Sequence, residues 1–244
     1  MFGRIGDIPP VVKNLLIINA VMLLADFVMM GSFGIRLTRI LGLYYFESEQ
    51  FQPYQFITHM FMHGGMAHLF FNMFALWMFG RVLEGVWGGK RFFIYYFFTG
   101  LGAALLHTVV NYIEIQTIMS RLTPEQIATV QQEGPGLWET HRNFVHEGMA
   151  SLNRAINIPT VGASGAVFGV LLAFGMMFPD TRLMLLFPPI PIKAKYFVIA
   201  YGAIELYLGL TRPGSNIAHF AHLGGMLFGF ILIKYWQKNT RNFY

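Results

Sequence analysis

The chain has 244 residues, 55% of them hydrophobic and 12% charged, with a mean hydropathy of +0.50. A soluble domain carries about 25% charged residues, so this composition predicts a polytopic membrane protein, folded as one domain. The absence of cysteine excludes disulfides and thiolate metal sites. The net charge of +5 is expected to reflect the positive-inside rule rather than nucleic-acid binding.

Residues 1–13 read as a polar tail holding Arg4 and Lys13, and 14–236 as the membrane domain. The first apolar segment, 15–33, is too long for a cleavable signal, and no A-x-A-like site closes it. Asp26 interrupts it. Residues 34–65 lack a clean 20-residue apolar run and mix aromatic side chains with Arg36, Arg39, Glu47 and Glu49. That pattern predicts a segment lying in the membrane interface. Residues 66–80 form the second span, reaching towards Arg81 and Glu84, which read as a local ion pair. Residues 92–112 form an uncharged third span. Residues 113–159 are a polar insertion in which Thr123-Pro124-Glu125 predicts an N-cap, a proline at the first helical position and an acidic first turn. Residues 160–179, 196–210 and 217–233 form the last three spans, and 237–244 a basic tail.

Six spans put both termini on one side. Eleven Lys and Arg fall on that side and six on the other, which predicts cytoplasmic termini. Spans two, four and six then enter the membrane from the outer face. His68 and Asn72 lie in the first two turns of span two, Ser164 in the first turns of span four, and His222 in the second turn of span six. At about 1.5 Å of rise per residue, all four fall within roughly 10 Å of the outer helix ends.

Ser164 sits in GASGAVFG, between Gly162 and Gly165, and needs a base to act as a nucleophile. His222, in AHLGGMLFG, is the candidate. Gly165-x-x-x-Gly169 and Gly225-x-x-x-Gly229 are small-residue faces that let the two helices approach closely. Phe168, one turn below the serine, is placed to stack on the imidazole. His68 and Asn72, spaced i and i+4, share a face and could form an oxyanion hole with the Ser164 backbone N–H. His219 is the competing base, nearer the interface. A metal among His59, His63 and His68 is not expected, because no HExxH motif and no carboxylate accompany them. Asp26 and Glu205 read as lone intramembrane acids. With no acid assigned to orient His222, the expected machinery is a dyad.

HGGMAHLFFN, GASGAVFG and AHLGGMLFG, in this order on spans two, four and six, resemble the rhomboid intramembrane serine proteases. The resemblance covers about 14–234 and implies an all-α bundle of six transmembrane helices with an interfacial first loop. It implies Ser164 as nucleophile, His222 as base with Gly225 and Gly229 in the same frame, and His68 and Asn72 at the oxyanion. It also implies that His63 supports the interfacial loop. Two positions depart from the family pattern: Tyr54-Gln55 stands where Trp-Arg is common, and Phe168 where Tyr is frequent. The resemblance assigns nothing to the insertion.

The expected function is hydrolysis of single-pass membrane proteins near the outer membrane boundary, with transmembrane protein substrates and membrane lipid as partners. No nucleic acid, cofactor or metal is expected. The expected location is a bacterial cytoplasmic membrane. Two rival readings are a proteolytically inactive relative that binds membrane clients, which would typically have lost Ser164 or His222, and a small transporter, which would need broken helices or inverted repeats.

Overall fold

The structure, a computed structural model, describes residues 8–140, 142–184, 189–211 and 218–239. Arg4, Arg212, Ile217 and Arg241, which enter the topology and span expectations, lie outside them. Helix α1 (Pro10–Phe33) starts with a proline, whose missing N–H would be unpaired there anyway. It ends at Gly34, whose φ of 68° lets its N–H return to the carbonyls of Met29 and Met30. Ile17, Val21, Leu24 and Val28 form an exposed apolar stripe. Val12, Leu15, Leu23 and Asp26 face inward. Asp26 interrupts the span for a structural reason: its carboxylate accepts the Thr38 N–H at 3.1 Å and ties α1 to the short helix α2 (Leu37–Leu41).

The rest of the first loop is organised by Gln55, which opens helix α3 (Gln55–Thr58) and is 1% exposed. Its amide nitrogen donates to the Ile40 and Gln50 carbonyls at 3.1 and 2.9 Å, and its oxygen accepts from Tyr44 N–H. Thr58 donates to the Leu41 carbonyl at 2.7 Å. The departure at Tyr54-Gln55 therefore supplies its own anchor: a primary amide that donates and accepts at once.

Helix α4 (Met66–Ala75) passes through a π turn (Leu76–Gly80) into α5 (Arg81–Trp87). Glu84 does not behave as the local partner expected for Arg81. Its carboxylate oxygens accept the N–H groups of Val11 and Val12 at 3.0 and 2.8 Å, capping the N-terminus of α1. The Arg81 guanidinium lies over the Trp77 ring, 4.4 Å from its centroid.

Helix α6 (Gly89–Met119) outruns the predicted third span. Its 31 residues rise about 46 Å, well beyond a ~30 Å hydrocarbon core. The projecting end carries Ile115 into a small second core with Tyr45 of the first loop, Val130 of α7 (Pro124–Glu139) and Leu152 of α8 (Glu147–Asn157). The predicted start of α7 is a capping box in which Thr123 and Gln126 exchange bonds of 3.0 and 3.3 Å. The insertion is thus a helical layer resting on the first loop. Just past the insertion, Thr160 is stitched to Leu43 of the first loop through paired backbone bonds of 2.9 and 2.8 Å.

Helix α9 (Ser164–Met177) is apolar on all sides and buried along nearly its whole length, as a bundle's central helix must be. It is shorter than the predicted 160–179, because Thr160 belongs to the bridge with Leu43 and Gly162 to the turn before the helix. Strands β1 (Arg182–Met184) and β2 (Pro191–Lys193) pair antiparallel, with Arg182 opposite Lys193. Lys193 and Lys195 bond Asp180 at 2.9 and 3.1 Å, and their ammonium groups hold its carboxyl below its ordinary value. Helix α10 (Ala194–Thr211) packs on α9 and on α11 (His219–Asn239), and α11 lies against α6 and α9.

Among the described residues, three helical segments are long and apolar enough to cross a membrane: Pro10–Phe33, Met66–Trp87 and Gly89–Met119. Helices α9, α10 and α11 occupy the other predicted span positions. The architecture is the expected helical membrane bundle, to which the structure adds the short strand pair between α9 and α10.

Candidate active site

Ser164 is the first helical residue of α9, where the opening N–H groups have no carbonyl to bond within their own helix. Gly162 sets the approach. Its φ of 130° is a conformation that L side chains rarely adopt, and its N–H bonds the His59 carbonyl at 2.9 Å. A methyl group there would fall 2.8 and 2.9 Å from the Cε1 and Nε2 atoms of His68. The glycine is therefore required both by the backbone and by the space it leaves in front of the serine.

His222, in the first turn of α11, places its Nε2 2.9 Å from Ser164 Oγ. Its ring stacks on Phe168 with centroids 4.1 Å apart and planes within 3°. The competing histidine is turned elsewhere: His219 Nδ1 lies 2.6 Å from Glu205 Oε2. The close helix approach rests on glycine as the spacing predicts, with one refinement. Any side chain at Gly225 would run into the Gly165 carbonyl, so these two glycines join α11 to α9 directly. Gly169 and Gly229 instead receive Thr99 and Tyr95 of α6, and the Tyr95 hydroxyl donates to the Gly169 carbonyl at 2.8 Å.

His68 reaches the site. Gly64 N–H donates to its Nδ1 at 3.3 Å, which leaves the ring proton on Nε2, the edge against Gly162. His63 is buried beneath it, its ring edge-on at 5.1 Å. Asn72 lines the same cavity, but its amide donates to the His68 carbonyl of its own helix at 2.9 Å. The cavity has a volume of about 770 Å³ and is walled by α4, α6, α9, α10 and α11, with Arg154 and Ile158 at the insertion side. The insertion, unassigned from sequence, thus forms part of the cavity wall.

The expectation of a histidine without an acid is overturned. Glu205 Oε2 lies 2.9 Å from His222 Nδ1 as well as 2.6 Å from His219 Nδ1, and Glu205 is 5% exposed. The signal was present in the sequence. Glu205 lies five residues, about 7.5 Å, from the outer end of the predicted fifth span, the depth already assigned to Ser164 and His222. Glu205, His219 and His222 also have metal-ligand spacing, with ligating atoms within 4.8 Å of one another. Hydrogen bonds from both rings to one carboxylate oxygen account for the same arrangement.

The chain matches a family model described as "Eukaryotic integral membrane protein (DUF1751)" over residues 13–243. It is 30% identical over 178 residues to "Rhomboid protein 1, mitochondrial" of Saccharomyces cerevisiae. It is 27% identical over 184 residues to "Presenilin-associated rhomboid-like protein A, mitochondrial" of Danio rerio. It is 26% identical over 177 residues to "Rhomboid protease GluP" of Bacillus subtilis. These matches cover 73%, 73% and 72% of this chain but only 40%, 37% and 25% of the relatives. The expected bacterial cytoplasmic membrane gains no support, since the family description is eukaryotic and the yeast and zebrafish relatives are named mitochondrial. With three helical segments of spanning length and this match along almost its whole length, the chain belongs to the DUF1751 family of rhomboid-like integral membrane proteins.

Proposed function

We propose that the protein is an intramembrane serine endopeptidase that cleaves single-pass membrane proteins. The observation that carries this reading is the 2.9 Å contact between His222 Nε2 and Ser164 Oγ inside a cavity of about 770 Å³. A hydroxyl and a base at that separation are ready for proton transfer. His222 takes the Ser164 proton as Oγ bonds to the substrate carbonyl carbon, and the carbonyl electron pair moves to its oxygen. His68 Nε2–H and the opening N–H groups of α9 face that charge, with Asn72 as a further donor once its amide turns from its own helix. The tetrahedral species then collapses, the C–N bond breaks, and His222 returns its proton to the leaving nitrogen. Water repeats the cycle to release the acyl group.

Helix α9 rises about 21 Å, short of a ~30 Å hydrocarbon core, so its serine end starts below the membrane boundary. A peptide bond must unwind to be attacked there, and unwinding in lipid is costly unless the freed groups reach water. The favoured substrate therefore has a small residue at its outer boundary and helix-breaking residues just below. The start of α1, beside Glu84, and the end of α11, where Trp236 meets Trp87, lie on the side opposite the site.

The test compares wild type with Ser164→Ala in detergent or liposomes, using a serine-reactive fluorophosphonate and a reporter with Ala above Gly-Pro. Labelling and cleavage confined to the wild type support the reading. A wild type that neither labels nor cuts returns the chain to the client-binding alternative.

A further inference from the structure

We infer that Glu205, held by His219, is a positioning residue that fixes His222 as the serine's base. The inference rests on the protease reading for its kinetic consequence, but not for its structural content. Two imidazole nitrogens, His219 Nδ1 and His222 Nδ1, lie 2.6 and 2.9 Å from the same oxygen, Glu205 Oε2. An imidazole lone pair facing a carboxylate oxygen would repel it, so each ring must present an N–H. A neutral His222 that carries its proton on Nδ1 has its lone pair on Nε2, and Nε2 is the atom 2.9 Å from Ser164 Oγ. The carboxylate thereby selects the one tautomer able to accept the serine's proton. It also lies ready to stabilise the imidazolium that forms when the proton arrives, without being protonated itself.

His219 completes the arrangement. It is 5% exposed, as is Glu205, and without it the carboxylate would keep one ring donor instead of two in a water-poor setting. Phe168 flanks the other part of the device, closing the face of His222 while Glu205 holds its edge. The parts come from separate helices: Glu205 from α10, both histidines from α11, and Phe168 from α9. A dyad would leave His222 Nδ1 to water or to a backbone carbonyl. Here it is tied to a carboxylate on a third helix.

The test has two independent readouts on the full-length protein. The first is nitrogen NMR of protein labelled with ¹⁵N-histidine, with the His222 signals assigned by their loss in His222→Ala. Wild type should show a single tautomer protonated on Nδ1, and Glu205→Leu should lose that preference. The second is reporter cleavage. Losing the orienting acid of a soluble triad costs about 10⁴-fold, so Glu205→Leu should lower kcat by about 100- to 10,000-fold with KM little changed. Glu205→Gln, which keeps a carbonyl oxygen able to accept from both rings, should recover part of that loss. His219→Ala should lower kcat by about tenfold, the effect of one lost hydrogen bond. An unchanged His222 tautomer in Glu205→Leu overturns the inference, as does a Glu205→Leu effect confined to KM. Should the leucine variant fail to fold, Glu205→Gln and His219→Ala take its place, and wild-type kcat in both overturns the inference. A wild type without protease activity refutes the protease reading, while the tautomer of His222 still decides the role of Glu205.

Discussion

Among the described residues three carboxylates are buried, Asp26, Glu84 and Glu205, and two of them, Glu84 at 3% exposure and Glu205 at 5%, each accept two hydrogen bonds. At Glu84 the donors are the Val11 and Val12 backbone N–H groups of α1, which stay donors at any pH. At Glu205 the donors are the imidazoles of His219 and His222, and the second of these lies 2.9 Å from the Ser164 hydroxyl. Burial and hydrogen-bond count are the same, so neither separates a structural acid from a functional one. The chemistry of the donors does. Glu84 joins α1 to α5, and Glu205 joins α10 to the imidazole that faces Ser164.

The comparison is sharpened most by Ser164 and His222, the proposed nucleophile and base. Ser164→Ala and His222→Ala should each remove about 10⁶-fold in kcat, and the double variant should lose no more, as groups acting as a unit do. Their thermal unfolding in detergent should match wild type. The next largest effect separates the two acids. Glu84→Ala leaves two N–H groups at the start of α1 without their acceptor and should lower stability by roughly 2–4 kcal/mol. The folded fraction of Glu84→Ala should retain turnover, where Glu205→Leu should retain fold and lose turnover. Parallel melting curves and rates decide it, and a Glu84 variant that melts normally but cannot cut would break the comparison.

Gly225→Ala drives a methyl group into the Gly165 carbonyl and so pushes the base away from the serine. A displacement of about 1 Å costs on the order of 100-fold, read as slower fluorophosphonate labelling. His68→Ala should cost about 100-fold or more in kcat, and Asn72→Ala less, because the Asn72 amide is already bonded within its own helix. Equal losses would mean that Asn72 turns fully towards the oxyanion during reaction. The smallest effect is expected far from both acids: Asp180→Ala removes an exposed pairing with Lys193 and Lys195 and should leave melting and cleavage unchanged.

Local patterns were legible in the sequence. Apolar run lengths located the long helices of the bundle, Thr123-Pro124 marked the start of α7, and glycine spacing marked the faces where backbones meet. The depth of Ser164 and His222 followed from counting residues from helix ends, because rise per residue is fixed. Motif order then pointed to Ser164 as the proposed nucleophile and His222 as its proposed base. What could not be read was any contact between side chains on different helices. Glu84 looked like a neighbour's partner because Arg81 is three residues away, and the rotation of α5 sends it to α1. At Tyr54-Gln55 the departure from the family pattern was visible and the three bonds that Gln55 makes across the loop were not.

The sequence by itself determined that this chain lives in a membrane, where its helices lie, and that a serine and a histidine share one depth. Those are consequences of hydropathy and helical rise, which are local. Only the tertiary structure decided which nitrogen of His222 faces Ser164, that the insertion walls the cavity, and that Glu205 stands behind the base. Those depend on how helices distant in sequence rotate about their own axes as they pack. That rotation is fixed by glycine contacts and hydrogen bonds spread over the whole bundle.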